Sequence, residues 1–535
     1  MLAPKGDTAT AVNTNQLRAP WISDQDDGSY RNPILFADYS DPDVIRLGED
    51  FFLTASSFNC VPGLPILHSK DLVNWQLIGH AIQELPARFD TVQPGCGIWA
   101  PCLRFHNGTF YIYYGDPDAG IYVLTAKDPA GKWSAPALVK DGKGLIDPTP
   151  LWDDDGTVYL LHAWAKSRAG TNNILTLHKL NADGTRVTDA GTVVVNANAI
   201  PDYRTLEGPK FYKRNGWYYI FAPAGGVREG WQSVFRSRSI YGPYENRIVL
   251  EQGSTDINGP HQGGWVELES GEHWFLHFQD QVAYGRVVHL NPVRWIDDWP
   301  CMGLDFDGNG IGEPVSLYQK PNVGQTFPIA APSAGDEFSG SKLNLAWQWQ
   351  ANPKADWASM TARPGWLRLY AIPRPTETKS NLWLVPNQLL QKLPAPAFQA
   401  TAKLEFAPRT DNDELNLIMM GEDYAGLRIS GTADGFVVTR FTCQEAANNH
   451  TETAEETAAV PRGTLWLRVS VKPGALCSFS YATNGTEFRT LGTPFRARAG
   501  RWIGAKLGLL CLGNGGHADF DWLRIDPLIR DDRAQ

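Results

Sequence analysis

The sequence predicts an all-β chain, a five-bladed β-propeller followed by a β-sandwich of jelly-roll, lectin-like type, and three observations carry that expectation. The first is a repeat. Pro42, Pro101, Pro148, Pro209 and Pro260 each stand near the start of an apolar run, with a turn glycine and an aromatic-rich strand after it. The spacing, about 45 to 60 residues, is that of propeller blades. The second is turn chemistry: Asn107-Gly108, Asp155-Gly156 and Asn215-Gly216 lie between apolar runs, where a type I′ hairpin needs positive φ at both central residues. The third is composition. With 51 Gly, 37 Pro and 11% aromatic residues, and no long amphipathic helical pattern, strands and turns are favoured throughout.

Taken in order, residues 1–28 are polar and irregular and read as a flexible lead-in, and residues 29–300 form the propeller. Blade one opens at Asp41-Pro42-Asp43, turns at Gly48 and continues through Phe51-Phe52-Leu53. Blade two opens at Trp99-Ala100-Pro101, blade three at Asp147-Pro148, blade four at Glu207-Gly208-Pro209 and blade five at Gly259-Pro260-His261. Residues 301–334, rich in Gly, Pro and Asn, read as a linker. Short alternating strands such as Leu465-Trp466-Leu467-Arg468-Val469 then mark residues 335–535 as the sandwich.

Composition excludes several classes. A net charge of −10 argues against a nucleic-acid partner, which requires clustered Lys and Arg to neutralise phosphates. No apolar run is long enough to span a bilayer, so no membrane association is expected. The seven cysteines are odd in number and lack zinc-ligand spacing. The first residues lack the order of a secretion signal, so the expected compartment is the cytoplasm, or the periplasm or exterior if a leader has been removed.

Three of the five blade openings carry an acid: Asp41, Asp147 and Glu207. Equivalent positions of separate blades point to one central axis, so these acids converge. Hydrolysis of a glycosidic bond needs such a set, one carboxylic acid for the leaving oxygen and one carboxylate for water or the anomeric carbon. Asp41 and Glu207 form the best pair, and a charged Asp147 nearby raises the pKa of an acid that must stay protonated. Each Asp before Pro is by itself also an ordinary turn residue. His261 faces the axis as a core residue or as a metal or water site. Phe58 and Trp99 either stack on a sugar face or pack the core. Arg286 is a charged residue inside a blade five strand, which requires an ionic partner or a ligand hydroxyl. Asp305-Phe306-Asp307-Gly308-Asn309-Gly310 has the front of a calcium loop but Ser316 at its twelfth position, so a structural Ca2+ stands beside a plain turn as its reading. No cofactor is needed for the chemistry. A non-catalytic carbohydrate-binding propeller would lack the poised acids, and a calcium-stabilised adhesion propeller would repeat the calcium loop in each blade.

At these residues the chain resembles glycoside hydrolase family 43, in the branch whose propeller is followed by a β-sandwich. Asn32-Pro33-Ile34-Leu35 with Asp41-Pro42, Trp99-Ala100-Pro101, Asp147-Pro148 and Glu207-Gly208-Pro209 carry the likeness in the family's order. The resemblance implies Asp41 as general base, Glu207 as general acid and Asp147 as pKa modulator and orienter. It implies inversion, exo action on terminal pentoses, and β-xylosidase or α-L-arabinofuranosidase specificity on xylo- or arabino-oligosaccharides. It further implies that Arg286 meets the sugar and that His261 holds a central ion or water. Where the family's sandwich sends a Phe to the pocket mouth, Gly504-Ala505-Lys506-Leu507-Gly508 offers Lys506, and Cys102 stands where His is usual.

Overall fold

The computed structural model describes residues 19–378 and 381–528. Five four-stranded antiparallel sheets follow one another in the chain, each with its strands in sequence order. Blade one comprises Asp43–Leu47, Asp50–Thr54, Gly63–Ser69 and Trp75–Ile82, and the first strands of the other blades are Trp99–His106, Leu145–Trp152, Lys210–Arg214 and His261–Glu267. Second strands such as Trp217–Ala224 are buried over most of their length because both faces are covered by neighbouring blades. Their continuous apolar character in the sequence has that cause.

Two of the three Gly turns have the expected geometry: Asn107 and Gly108 lie at φ 47° and 70°, and Asn215 and Gly216 at 49° and 70°. The third differs. Gly156 is at φ 81° but Asp155 is not left-handed; its carboxylate accepts the Thr157 amide at 2.8 Å, and the turn closes from Gly156 N to Asp153 O at 3.0 Å.

The ring closes between blades five and one, where Gly264 lies so close to Val44 N that an added Cβ would come within 2.9 Å of it. The chain before blade one reinforces this closure. Leu35 bridges Val288, Tyr30 Oη donates to Leu290 O at 2.8 Å, and Leu290 N donates to Asn32 Oδ1 at 2.9 Å. Residues 19–28, expected as part of a flexible lead-in, are instead anchored, while residues 1–18 lie outside the described residues. Asp24 pairs with Lys320 at 2.7 Å, and Trp21 packs on Phe36 under the Arg31 guanidinium. The expected linker is likewise partly built structure: Leu317–Gln319 pairs antiparallel with Ser29–Arg31. Both corrections have one cause, since each segment finds its partner almost 300 residues away in the other.

The C-terminal unit is two sheets face to face, one of seven strands and one of eight. Strand Leu465–Lys472 alternates buried and half-buried positions, turning Leu465, Leu467, Val469 and Val471 inward. The sandwich core extends into the propeller, because Phe36, Val92, Ala283, Tyr284 and Val287 belong to the same apolar cluster as Trp349, Phe398 and Leu509. Polar pins fix the contact. Tyr284 Oη donates to Pro396 O at 2.7 Å and accepts from Ala475 N at 2.8 Å, and Asn352 bonds Leu85 N and O at 2.8 and 2.9 Å.

Candidate active site

Every blade opens with the same backbone device. Asp41, Ala100, Asp147, Gly208 and Gly259, each the residue before its blade's proline, have φ of 53°, 28°, 54°, 60° and 50°. A left-handed residue cannot continue the ladder, and the pairing register shifts beside it in blades two and three. Asp41 and Asp147 are equivalent in this frame. Glu207 is not, since it sits one residue before the equivalent Gly208. A Cβ at that glycine would lie 2.3 Å from Gln262 Cγ, so the acid occurs one position earlier, on the longer side chain.

The three carboxyl groups meet different surroundings. Asp41 receives only donors: Arg286 Nη1 at 2.8 Å on Oδ1, with Ser56 Oγ at 2.6 Å and Ser40 Oγ at 3.0 Å on Oδ2. That is the environment of an acceptor-only carboxylate. Ser56 is itself oriented, because it accepts the Ala100 amide at 2.7 Å and so must turn its hydroxyl proton toward Asp41. Asp147 is buried and accepts the Gly208 amide at 2.7 Å, which fixes the peptide that carries Glu207. Burial, with the Asp41 charge beside it, pushes the Asp147 carboxyl up to about 7. Glu207 is pushed up to about 8, by burial first and then by Asp147. Its side chain is 24% exposed against 4% for Asp41, so it is the acid open to the mouth, and His261 Nε2 lies 3.4 Å from its Oε1.

Arg286 lies over the Phe278 ring with its backbone amide on Asp38 Oδ1 at 2.9 Å. It is therefore committed to Asp41 and Ser40, with 11% of its side chain exposed. Phe58 is buried at φ 51°, bonded to Ile98 through both backbone groups, and its ring stands 6.1 Å edge-on from Trp99. Trp99 in turn lies 6.0 Å from Trp502 of the sandwich.

Three residues of the site escaped sequence reasoning. Ser56 is placed by a contact between blades one and two, and nothing in its local sequence marks it. Asn173 accepts the Leu206 amide at 2.8 Å and so braces the residue before Glu207. Trp502 corrects the expectation for Lys506. The sandwich does bring an aromatic ring toward Trp99, but from four residues earlier, on a left-handed backbone at φ 64° with 45% of the residue exposed. A side chain on Gly95 would collide with it, at 2.8 Å from the indole. Lys506 is buried, with Nζ 2.9 Å from Cys60 Sγ and 3.3 Å from Gln348 Oε1.

His261 is fully buried, and burial pushes it down to about 3; neither ring nitrogen has a hydrogen-bond partner among the described residues. The Asp305 loop turns its oxygens onto itself, Asp305 accepting the Gly308 and Gly310 amides at 2.8 and 3.1 Å. All seven cysteines are free thiols.

The sequence profile described as Glycosyl hydrolases family 43 matches residues 30–300, and that described as Beta xylosidase C-terminal Concanavalin A-like domain matches residues 335–526. The chain belongs to glycosyl hydrolase family 43. This family 43 chain is 38% identical to a putative beta-xylosidase of Xylanibacter ruminicola, over 91% of its own length and 87% of that protein. It is 32% identical to a non-reducing end alpha-L-arabinofuranosidase of Bacteroides ovatus, over 74% of each. Among solved structures, the GH43 BlXynB protein of Bacillus licheniformis superposes with a TM-score of 0.80 at 26% identity, covering 94% of this chain and all of that one. The propeller and glycoside hydrolysis, expected from the repeats and acids, and the β-sandwich, expected from the short alternating strands, are thereby established, the sandwich as a concanavalin A-like domain.

Proposed function

We propose that this hydrolase removes terminal xylose or arabinofuranose from plant cell-wall oligosaccharides with inversion, using Glu207 as general acid, Asp41 as general base and Asp147 as orienter and modulator. The observation that carries the assignment is the contrast between the two acids. Asp41 is surrounded by groups that donate to it, the Arg286 guanidinium and the Ser56 hydroxyl foremost. Glu207 keeps its proton up to about 8, as an acid that protonates a leaving oxygen near neutral pH must. In the step, Asp41 takes a proton from water as the water oxygen bonds to the anomeric carbon. The bond to the leaving oxygen breaks and takes the Glu207 proton. Blades one and four do not adjoin in the ring, which favours the roughly 6.5 to 9.5 Å separation that leaves room for water. Phe58 and Trp99 line the approach, and the half-exposed Trp502 supplies an aromatic face beside them for the next sugar of the chain. The xylosidase and arabinofuranosidase names of the relatives support both pentoses as substrates. Comparing rates on aryl β-xyloside and aryl α-L-arabinofuranoside tests the reading, and inactivity on both would overturn it.

Two results are expected here. Activity should fall as pH rises through about 8, because that deprotonates Glu207, and a kcat/KM profile on either aryl pentoside measures it. The same raised value makes the fold bind this proton more tightly than the unfolded chain does. Its stabilising effect is complete below the ordinary carboxyl range and is lost as pH rises through about 8. Trp502→Ala should raise KM for an oligosaccharide by about tenfold or less, the worth of one aromatic contact, and leave kcat on the aryl pentoside within about twofold. An equal loss on both substrates would contradict a role at the outer sugar.

A further inference from the structure

The residues after the five prolines, Asp43, Cys102, Thr149, Lys210 and His261, form the next layer along the first strands, and all five are fully buried. Arg104 ties this layer together, donating to Asp43 Oδ2 at 2.7 Å and to Thr149 Oγ1 at 3.3 Å. Lys210 is clamped from both sides by blade three. The Gly208 amide before it bonds Asp147 at 2.7 Å, and the Phe211 amide after it bonds Thr149 Oγ1 at 3.1 Å. Its ammonium reaches past blade three to blade two, where Nζ lies 3.4 Å from Pro101 O. It has no ion pair among the described residues, and a buried ammonium with one long hydrogen bond is costly unless nearby charge balances it.

We propose that Lys210 is the resident cation of this axial layer, a positioning residue that keeps Asp147 ionised beneath a protonated Glu207. The enclosed charges cancel when the Asp147–Glu207 pair holds one proton, for then three carboxylates face the cations Arg286, Arg104 and Lys210, and the Gly208 amide donated to Asp147 at 2.7 Å places the negative charge of the pair on Asp147. The other titratable groups around Lys210 are neutral. Burial pushes the Cys102 thiol up to about 12, raises Tyr212 and pushes His261 down to about 3. Asp38, on the far side of Arg286, is balanced by Lys392 at the domain interface. The Lys210 charge opposes the rise that burial and Asp41 impose on Asp147. The layer does not suit a central divalent ion at His261. Two fixed cations already stand in it, and no group of three His, Cys, Asp or Glu among the described residues gathers to ligate one.

The proposal rests on the acid and base assigned above, and Lys210→Met tests it while keeping the length of the side chain. Removing the cation makes both protons of the Asp147–Glu207 pair harder to lose. Both limbs of the kcat/KM profile on an aryl pentoside should therefore move to higher pH, by about one unit, a tenfold change in each ionisation. Lys210→Arg, which keeps the charge, should leave the limbs where the wild type has them. A Lys210→Met profile lowered in height but unmoved in pH would show packing alone and overturn the proposal. Should that variant fail to fold, the wild-type enzyme decides: stripping with a chelator and then adding calcium should leave both limbs of its kcat/KM profile and its rate unchanged. A calcium-dependent gain in rate would overturn the proposal. If Asp41→Asn and Glu207→Ala retained full activity, the catalytic assignment would fail instead, whatever the limbs did.

Discussion

Asp41→Asn should lower kcat/KM on the order of 10³-fold, the contribution of a positioned general base, and should do so equally for substrates with good and poor leaving groups. The carboxylate accepts from Arg286, Ser56 and Ser40 at once, whereas a carboxamide has one acceptor oxygen and turns its amide protons toward donors. The variant thus loses the base and also places like-charged hydrogens together. The mismatch should cost about 1–3 kcal/mol of stability, visible as a lower Tm in a chain that still folds. Rates on a series of aryl pentosides of differing leaving-group pKa check the kinetic part. Recovery on the best leaving group would show that Asp41 does not activate water.

Glu207→Ala should behave differently. Loss on the order of 10²- to 10⁴-fold is expected for alkyl or sugar leaving groups, which need the proton. Aryl groups that leave as stable anions should retain much of the wild-type rate, because protonation matters little to them. The signature is a slope of log kcat/KM against leaving-group pKa that is steep in Glu207→Ala and shallow in the wild type. The basic limb near pH 8 should vanish with the side chain. A variant that lost equal activity on every leaving group would remove Glu207 from the acid role.

The propeller was legible because one backbone rule is repeated. A residue of left-handed φ before proline opens all five blades, and proline is visible in sequence even though the bulge it accompanies is not. Asp41 and Asp147 were found by that marker. Glu207 was found only as an acid near it, since its own blade places glycine at the equivalent position to clear Gln262. Ser56 left no trace, because what selects it is the Ala100 amide of the next blade and the Asp41 carboxylate of its own. Asn173 acts across 33 positions on Leu206 and was hidden for the same reason. The segments read as lead-in and linker lack apolar periodicity, because they are held by polar links such as Asp24 with Lys320 and by a short strand pair of the linker with Ser29–Arg31 just after the lead-in. Trp502 was missed because a four-residue offset in one sandwich loop exchanges a ring at the mouth for a buried lysine. Alignment of a motif does not reveal such an exchange.

The stereochemistry of the first product tests the account most directly. If Asp41 drives a water from the face opposite the leaving group, early turnover followed by proton NMR should show the free pentose first in the anomeric configuration inverted from the substrate, with mutarotation only later. A first product with retained configuration would require a glycosyl-enzyme intermediate and would contradict the pairing of Asp41 as base with Glu207 as acid.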